Sequence, residues 1–129
     1  MIDANDFKQI NDTYGHAEGD HALILIAEAL KQAVCILKDP PFLARFGGDE
    51  FIIIVCTADE TELSTLRGEI RRCLHDACTA AATPYRLSVA VGWDKLGRDE
   101  PFTACQQRAD QKLYEDKKKE KNITASAGR

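Results

Sequence analysis

The sequence predicts an α+β domain: one mixed β-sheet with helices packed on it. Three observations predict it. Apolar residues recur at spacings of three and four through Leu23, Ile24, Ile26, Ala27, Leu30, Ala33 and Val34, the period of an amphipathic helix. Phe51-Ile-Ile-Ile-Val-Cys56 is a short, continuous apolar run rich in β-branched residues, as in a strand buried on both faces. Gly47-Gly48 separates that run from Phe42–Phe46, so the two runs read as a hairpin turning on glycines.

The elements follow in order. Met1-Ile2 reads as the end of a strand, with Asp3 at its tip. Residues 4–13 read as a short helix entered through a polar loop, and Tyr14–Gly19 as a turn. Asp20 opens the long amphipathic helix, which Lys38-Asp-Pro-Pro41 stops because proline cannot continue it. After the hairpin, the acidic cluster Asp59-Glu60-Thr61-Glu62 suits a helix N-terminus, so residues 60–80 form a second long helix. Tyr85–Trp93 is a strand and Phe102–Lys119 a last helix, with 123–129 a loose, flexible tail.

A chain of 129 residues suits one domain, placed here over residues 1–122. With 44% hydrophobic and 29% charged residues the balance is that of an ordinary globular protein. No apolar run approaches the ~18 residues of a membrane helix, and Met1 leads straight into polar sequence rather than a secretory signal. A net charge of −4 argues against nucleic-acid binding, which needs a broad basic surface. It leaves room for a nucleotide, whose triphosphate needs only a few local cations and a metal. The five cysteines are odd in number, without CxxC spacing, and read as reduced core thiols of a cytoplasmic protein rather than disulfides or a zinc site.

Four clusters carry chemistry. Asp49-Glu50 follow Gly47-Gly48 directly; adjacent carboxylates repel unless a cation is near, and a hard divalent ion such as magnesium suits them. The bland alternative is a solvated acidic turn. Asp3 ends a strand before Asn5-Asp-Phe-Lys8, whose backbone N–H groups open a helix and are free to hold phosphate oxygens. Capping by Asn5 or Asp6 is the alternative and is compatible with that role. Asn11, His16 and Asp20 surround the junction between the first two helices. An Asn–Asp pair can read guanine, which offers two donors beside an acceptor, and reject adenine; turn and capping roles are the alternatives. Lys117 and Lys121 fall at i, i+4 and can hold a triphosphate tail, or simply solvate a helix end.

Taken together, Asp3-x-Asn-x-Phe-Lys-x-x-Asn-Asp, Tyr-Gly-His-x-x-Gly-Asp20, Arg45-Phe-Gly-Gly-Asp-Glu-Phe51 and Ala109-Asp-x-x-Leu-Tyr-x-x-Lys117 closely resemble the GGDEF family of diguanylate cyclases, from Met1 to about Asn122. The resemblance implies a fold related to the palm of nucleotidyl cyclases and polymerases. It implies an enzyme that condenses two GTP molecules into cyclic di-GMP with release of pyrophosphate, for bacterial second-messenger signalling. It implies Asp3 and Asp49 as ligands of two Mg2+ ions, with the Ala4 carbonyl as a further ligand and Mn2+ as the alternative ion. Asn11 and Asp20 would recognise guanine, with His16 nearby. The loop of Phe7 and Lys8 and the glycines Gly47 and Gly48 would lie against the phosphates, which Lys117 and Lys121 bind. Glu50 would help activate the attacking hydroxyl, with Asp49 the other candidate. Activity would need a symmetric homodimer.

The sequence departs from the family pattern in four places. The longer first strand and the preceding helix with its Asp-x-Leu-Thr-Gly-Leu-x-Asn-Arg motif are absent, so the fragment is expected to be weakly active or inactive. A sensory domain is expected ahead of it in the parent, in the cytoplasm or as the cytoplasmic part of a membrane-anchored sensor. Asn5 replaces the second acid of Asp-x-Asp. Lys38 and Pro41 stand where product inhibition normally uses Arg and Asp, so no feedback inhibition is expected. Glu120-Lys121 replace Gly-Arg, keeping the charge but losing bidentate geometry. The runner-up is a non-catalytic GTP-binding or dimerisation module that regulates a partner domain.

Overall fold

A computed structural model describes residues 1–56 and 58–127, with side chains described as far as Glu120. Four strands form one sheet: β1 (Ile2–Ala4), β2 (Phe42–Arg45), β3 (Glu50–Ile54) and β4 (Val89–Val91), in the order β2-β3-β1-β4. Four helices surround it: α1 (Phe7–Tyr14), α2 (His16–Ala33), α3 (Glu60–Ala81) and α4 (Phe102–Ala127). The α+β class and the element order agree with the sequence reading. Every strand pairing is antiparallel, where the sequence suggested a mixed sheet.

The register sorts the strand residues into two faces. Ile2 pairs with Phe51 and Val91, and Ala4 with Val89. These residues are buried in the main core with Ile26 and Leu30 of α2 and Ile70 and Leu74 of α3. Side chains alternate along a strand, so Asp3, Glu50, Ile52 and Ala90 occupy the opposite face. Asp3 pairs there with both Glu50 and Ala90. The central strand thus has one face in the core and presents its aspartate on the other.

Helix α4 covers the open edge of β4. The approach is close: a Cβ on Gly92 would lie 2.2 Å from Leu113 N and 2.4 Å from Ala109 O. The chain start is tied to the same place, since the Met1 ammonium donates to Gly92 O at 2.8 Å and Gly92 N to Met1 O at 3.0 Å.

Several boundaries differ from the sequence reading. The break between the first two helices is the single residue Gly15, at φ 93°, and α2 already begins at His16. Asp20 is therefore inside a helix and does not cap it. The segment Tyr85–Ser88 is irregular, and only Val89–Val91 pair as a strand. On β3, Phe51 and Ile52 are buried but Ile54 is exposed, so the run is not buried on both faces throughout. Helix α4 continues to Ala127, through residues read as a tail. Cys73 and Cys105 are buried and Cys78 is half-buried, but Cys35 and Cys56 are exposed and not core thiols. Asp59 caps α3 as its position suggests, accepting from Glu62 N at 2.8 Å. Among the described residues no helix is long and apolar enough to cross a membrane.

Candidate active site

The site is built where β1 ends. Ala4 N donates to Asp49 O at 3.2 Å, which pins the glycine turn against the tip of the central strand. The Asp49 carboxyl then lies near enough to Asp3 to interact with it. Burial first, then Asp3, raises the Asp49 pKa above the ordinary carboxylate range. Asp3 Oδ2 accepts from Lys117 Nζ of α4 at 2.7 Å, while Asp3 Oδ1 is buried with no hydrogen-bond partner among the described residues.

An unpaired buried carboxylate oxygen beside a second carboxyl fits a hard cation. Among the described residues no cluster of three His, Cys, Asp or Glu side chains surrounds it. That set suits magnesium, which is commonly held by one or two carboxylates while keeping waters and substrate phosphates as its other ligands.

The turn itself is held by Arg45. Its Nε donates to Gly47 O at 3.1 Å and Gly48 O at 3.0 Å, and Nη2 donates to Gly48 O at 2.7 Å. Neither glycine has a positive φ, so the turn does not require glycine for its backbone angles. At Gly48 a Cβ would meet nothing within 4 Å, so the space beside its backbone is open. Glu50 is opposite Asp3 across the ladder, and its carboxylate folds back over Gly47.

Beyond Asp3 the chain turns at Asp6, which takes the left-handed conformation at φ 55°. Asp6 occupies the N-cap position of α1 but makes no side-chain cap. Asn5 does not cap either; its Nδ2 donates to Ser88 Oγ at 3.0 Å and approaches Glu120 Oε2 at 3.5 Å. The first-turn N–H groups at Phe7 and Lys8 therefore have no side-chain cap. Phe7 packs partly into the core, whereas Lys8 is exposed.

At the α1–α2 junction, the Asn11 carboxamide lies against the bare Cα of Gly19. A Cβ at that glycine would fall 1.8 Å from Asn11 Oδ1. The next residue, Asp20, is exposed at the mouth of a cleft of about 500 Å³ between α2 and the hairpin. Leu23, Ile24 and Phe51 give that cleft apolar walls, and Arg45 reaches its other side. Ile24, expected in the core, is exposed along it. His16 is exposed at the start of α2. The Lys121 side chain lies outside the described residues.

The structure thus brings Asp3, Ala4, Asp49, Glu50 and Lys117 together, and sets Asn11 beside Gly19 next to Asp20. Sequence reasoning gave no role to Gly19, Arg45 or Asp116. Gly19 and Arg45 were within the recognised motifs. Asp116 was hidden in a charged run, although it falls on the 105–109–116 stripe that α4 buries.

Comparison with known proteins agrees with this geometry. The family profile "Diguanylate cyclase, GGDEF domain" matches residues 1–123. Diguanylate cyclase DgcZ of Escherichia coli K12 is 34% identical over 95% of the chain and 40% of its own length. Diguanylate cyclase A of Treponema denticola is 31% identical over 95% of the chain and 33% of its own length. The chain therefore spans well under half of these relatives. Among solved structures, diguanylate cyclase SiaD of Pseudomonas aeruginosa, in complex with its activator SiaC, matches with a TM-score of 0.73 and 26% identity over 92% of this chain and 45% of that one. The GGDEF domain of DgcB from Caulobacter crescentus, in complex with c-di-GMP, matches with a TM-score of 0.73 and 26% identity over 91% of this chain and 69% of that one. By its motifs, its fold and these likenesses, the chain belongs to the GGDEF domain family of diguanylate cyclases.

Proposed function

We propose that this chain binds GTP with Mg2+ and, paired with a second copy, condenses two GTP into cyclic di-GMP. The observation that carries the reading is the Lys117 ammonium on Asp3, with the Asp49 carboxyl near enough to interact with Asp3, beside an uncapped helix N-terminus. Asp3 and Asp49, with the Ala4 carbonyl, would hold the magnesium ions. When bound, magnesium supplies charge neutralisation at the phosphates and lowers the pKa of the attacking hydroxyl.

The protein's own groups do the rest. The N–H groups of Phe7 and Lys8 and the ammonium of Lys117, joined by Lys121, hold the triphosphate oxygens. Open backbone at Gly48 admits them. Asn11 and Asp20 recognise the guanine edge, and the apolar walls of the cleft beside Asp20 exclude water from the base. The ribose 3′-oxygen of one GTP forms a bond to the α-phosphorus of the other. The bond from that phosphorus to the bridging oxygen breaks, and pyrophosphate leaves. Glu50 accepts the hydroxyl proton, with Asp49 the alternative. Two such steps close the ring, so two domains face each other in a homodimer. On this reading the domain works in the cytoplasm, where GTP is available. A regulatory partner is in keeping with the activator bound to SiaD.

Incubation with GTP and Mg2+ followed by nucleotide chromatography tests the reading. Cyclic di-GMP from the wild type and none from Glu50→Gln, with GTP uptake retained, supports it. GTP uptake without product, by a longer parent as well as by the chain, turns the assignment to the non-catalytic binding module. No uptake of GTP with Mg2+ by the chain or by a longer parent overturns both.

A further inference from the structure

Among the described residues Asp116 is the only buried polar side chain, 9% exposed. A buried carboxylate is costly unless its oxygens are hydrogen-bonded and its charge is paired. Both conditions are met, by two different elements. Val91 N of the β4 edge donates to Asp116 Oδ2 at 2.9 Å. Arg71 Nη2 of α3 donates to Oδ2 at 3.0 Å and Oδ1 at 3.1 Å. The bonds come from two different elements, β4 and α3, so together they restrain the position of α4 against both. Apolar packing at Cys105 and Ala109 is non-directional and tolerates a slip that these bonds do not.

The next residue in the chain is Lys117, whose ammonium rests on Asp3. One residue of slip along a helix is ~1.5 Å of travel and roughly 100° of rotation. Either would carry the ammonium off the carboxylate. The same arginine lies 3.9 Å from Glu120 Oε2, which Asn5 Nδ2 approaches from the other side. The clasp therefore extends to the loop that follows Asp3.

We propose that Asp116, held between Arg71 and the Val91 N–H, is a positioning residue that sets the register of α4 and so places Lys117 for the triphosphate. The ligand in this statement rests on the function proposed above; the geometry of the clasp does not.

A double-mutant cycle on the 129-residue chain, read by calorimetric titration with GTP and Mg2+, tests it. Asp116→Ala weakens GTP binding by roughly 10- to 100-fold, the usual effect of removing a group that orients a ligand-holding side chain. Asp116→Asn keeps an acceptor for Val91 and loses the charge pair, so it falls between. In a Lys117→Met background Asp116→Ala adds little further loss, because its effect passes through that lysine. Additive losses, or a lowered melting temperature with unchanged GTP affinity, overturn the proposal. If the wild type takes up no GTP, the proposed function fails, and the clasp is decided by NMR on the same proteins. Faster Val91 amide exchange in Asp116→Ala, and loss of the Lys117–Asp3 contact in Asp116→Ala or Asp116→Asn, support it. Persistence of that contact overturns it. Asp116→Asn serves throughout if the alanine variant does not fold.

Discussion

Lys117 and Asp3 are 114 positions apart in the chain, yet Lys117 Nζ is 2.7 Å from Asp3 Oδ2. The ammonium partly offsets the repulsion between Asp3 and Asp49, and on the proposed function it also meets the triphosphate. Both partners of the bond are mostly buried, with side-chain exposures of 28% and 16%, so solvent screens it less than a surface pair. Lys117→Met leaves the packing volume but removes the charge. A charge-assisted bond contributes ~1.5–3 kcal/mol, so the KM for GTP rises by roughly 10- to 100-fold. Steady-state kinetics with Mg2+ measure this; an unchanged KM places the triphosphate elsewhere.

Asp49 is unfavourable to the fold when ionised, since burial and Asp3 both raise its pKa. A carboxyl whose folded pKa exceeds its unfolded value loses stability as pH rises from the unfolded value through the folded one. Asp49→Asn therefore raises the melting temperature at pH 7 in the presence of a chelator. Added Mg2+ raises the wild-type melting temperature by mass action and moves the variant far less. Scanning calorimetry with and without Mg2+ decides it, and equal responses of the two proteins contradict the assigned metal ligands.

Gly19→Ala separates stability from recognition. Alanine is the better helix former by ~1 kcal/mol. Its Cβ, however, would lie 1.8 Å from Asn11 Oδ1, so the carboxamide must rotate away. The expected protein melts no lower than the wild type, binds GTP more weakly and discriminates less between GTP and ATP. A variant with wild-type selectivity removes Asn11 from guanine recognition.

Gly92→Ala acts where α4 meets the edge of β4. Here the added Cβ meets backbone, Leu113 N at 2.2 Å and Ala109 O at 2.4 Å, and no rotamer change relieves it. Helix α4 must shift, at an overpacking cost of ~1–3 kcal/mol. Melting temperature and GTP affinity fall together, because the same helix carries Lys117. Denaturant unfolding and calorimetric titration on the one variant show whether the two losses are linked.

The loop ahead of α4 adds a modest acid dependence to stability. The Glu100 pKa is lowered to about 2, first by its bond with Arg108 and then by the Gly97 N–H. A depressed carboxyl stabilises the fold above its unfolded pKa, near 4.5, and that contribution fades as pH falls toward about 2. Glu100→Gln lowers stability modestly near neutrality, where the carboxylate contributes, and flattens the pH dependence across that window. Urea unfolding at a series of pH values measures the slope.

The order of elements and the chemistry of the motifs were legible from the sequence because both are written locally. Three-and-four spacing gives α2, and the acidic stretch at 59–62 gives the start of α3, where Asp59 is the cap. Gly47 and Gly48 mark the turn, and the adjacent carboxylates of Asp49 and Glu50 raise the expectation of a cation, with a solvated acidic turn as the alternative. Boundaries were less legible where tertiary contacts override propensity. One glycine at positive φ splits α1 from α2, and Val89–Val91 alone pair as β4 because β1 contributes only three residues to the ladder. What only the tertiary structure decided is which charges meet. Asp116 looks like one more acid in a solvated run until β4 presents an unpaired edge N–H and α3 presents Arg71. Lys117 finds Asp3 because α4 crosses the β4 edge at Gly92, where the absence of a side chain lets two backbones approach. Local sequence encodes periodicity and chemical type; the pairing of distant side chains is set by how the helices dock on the sheet.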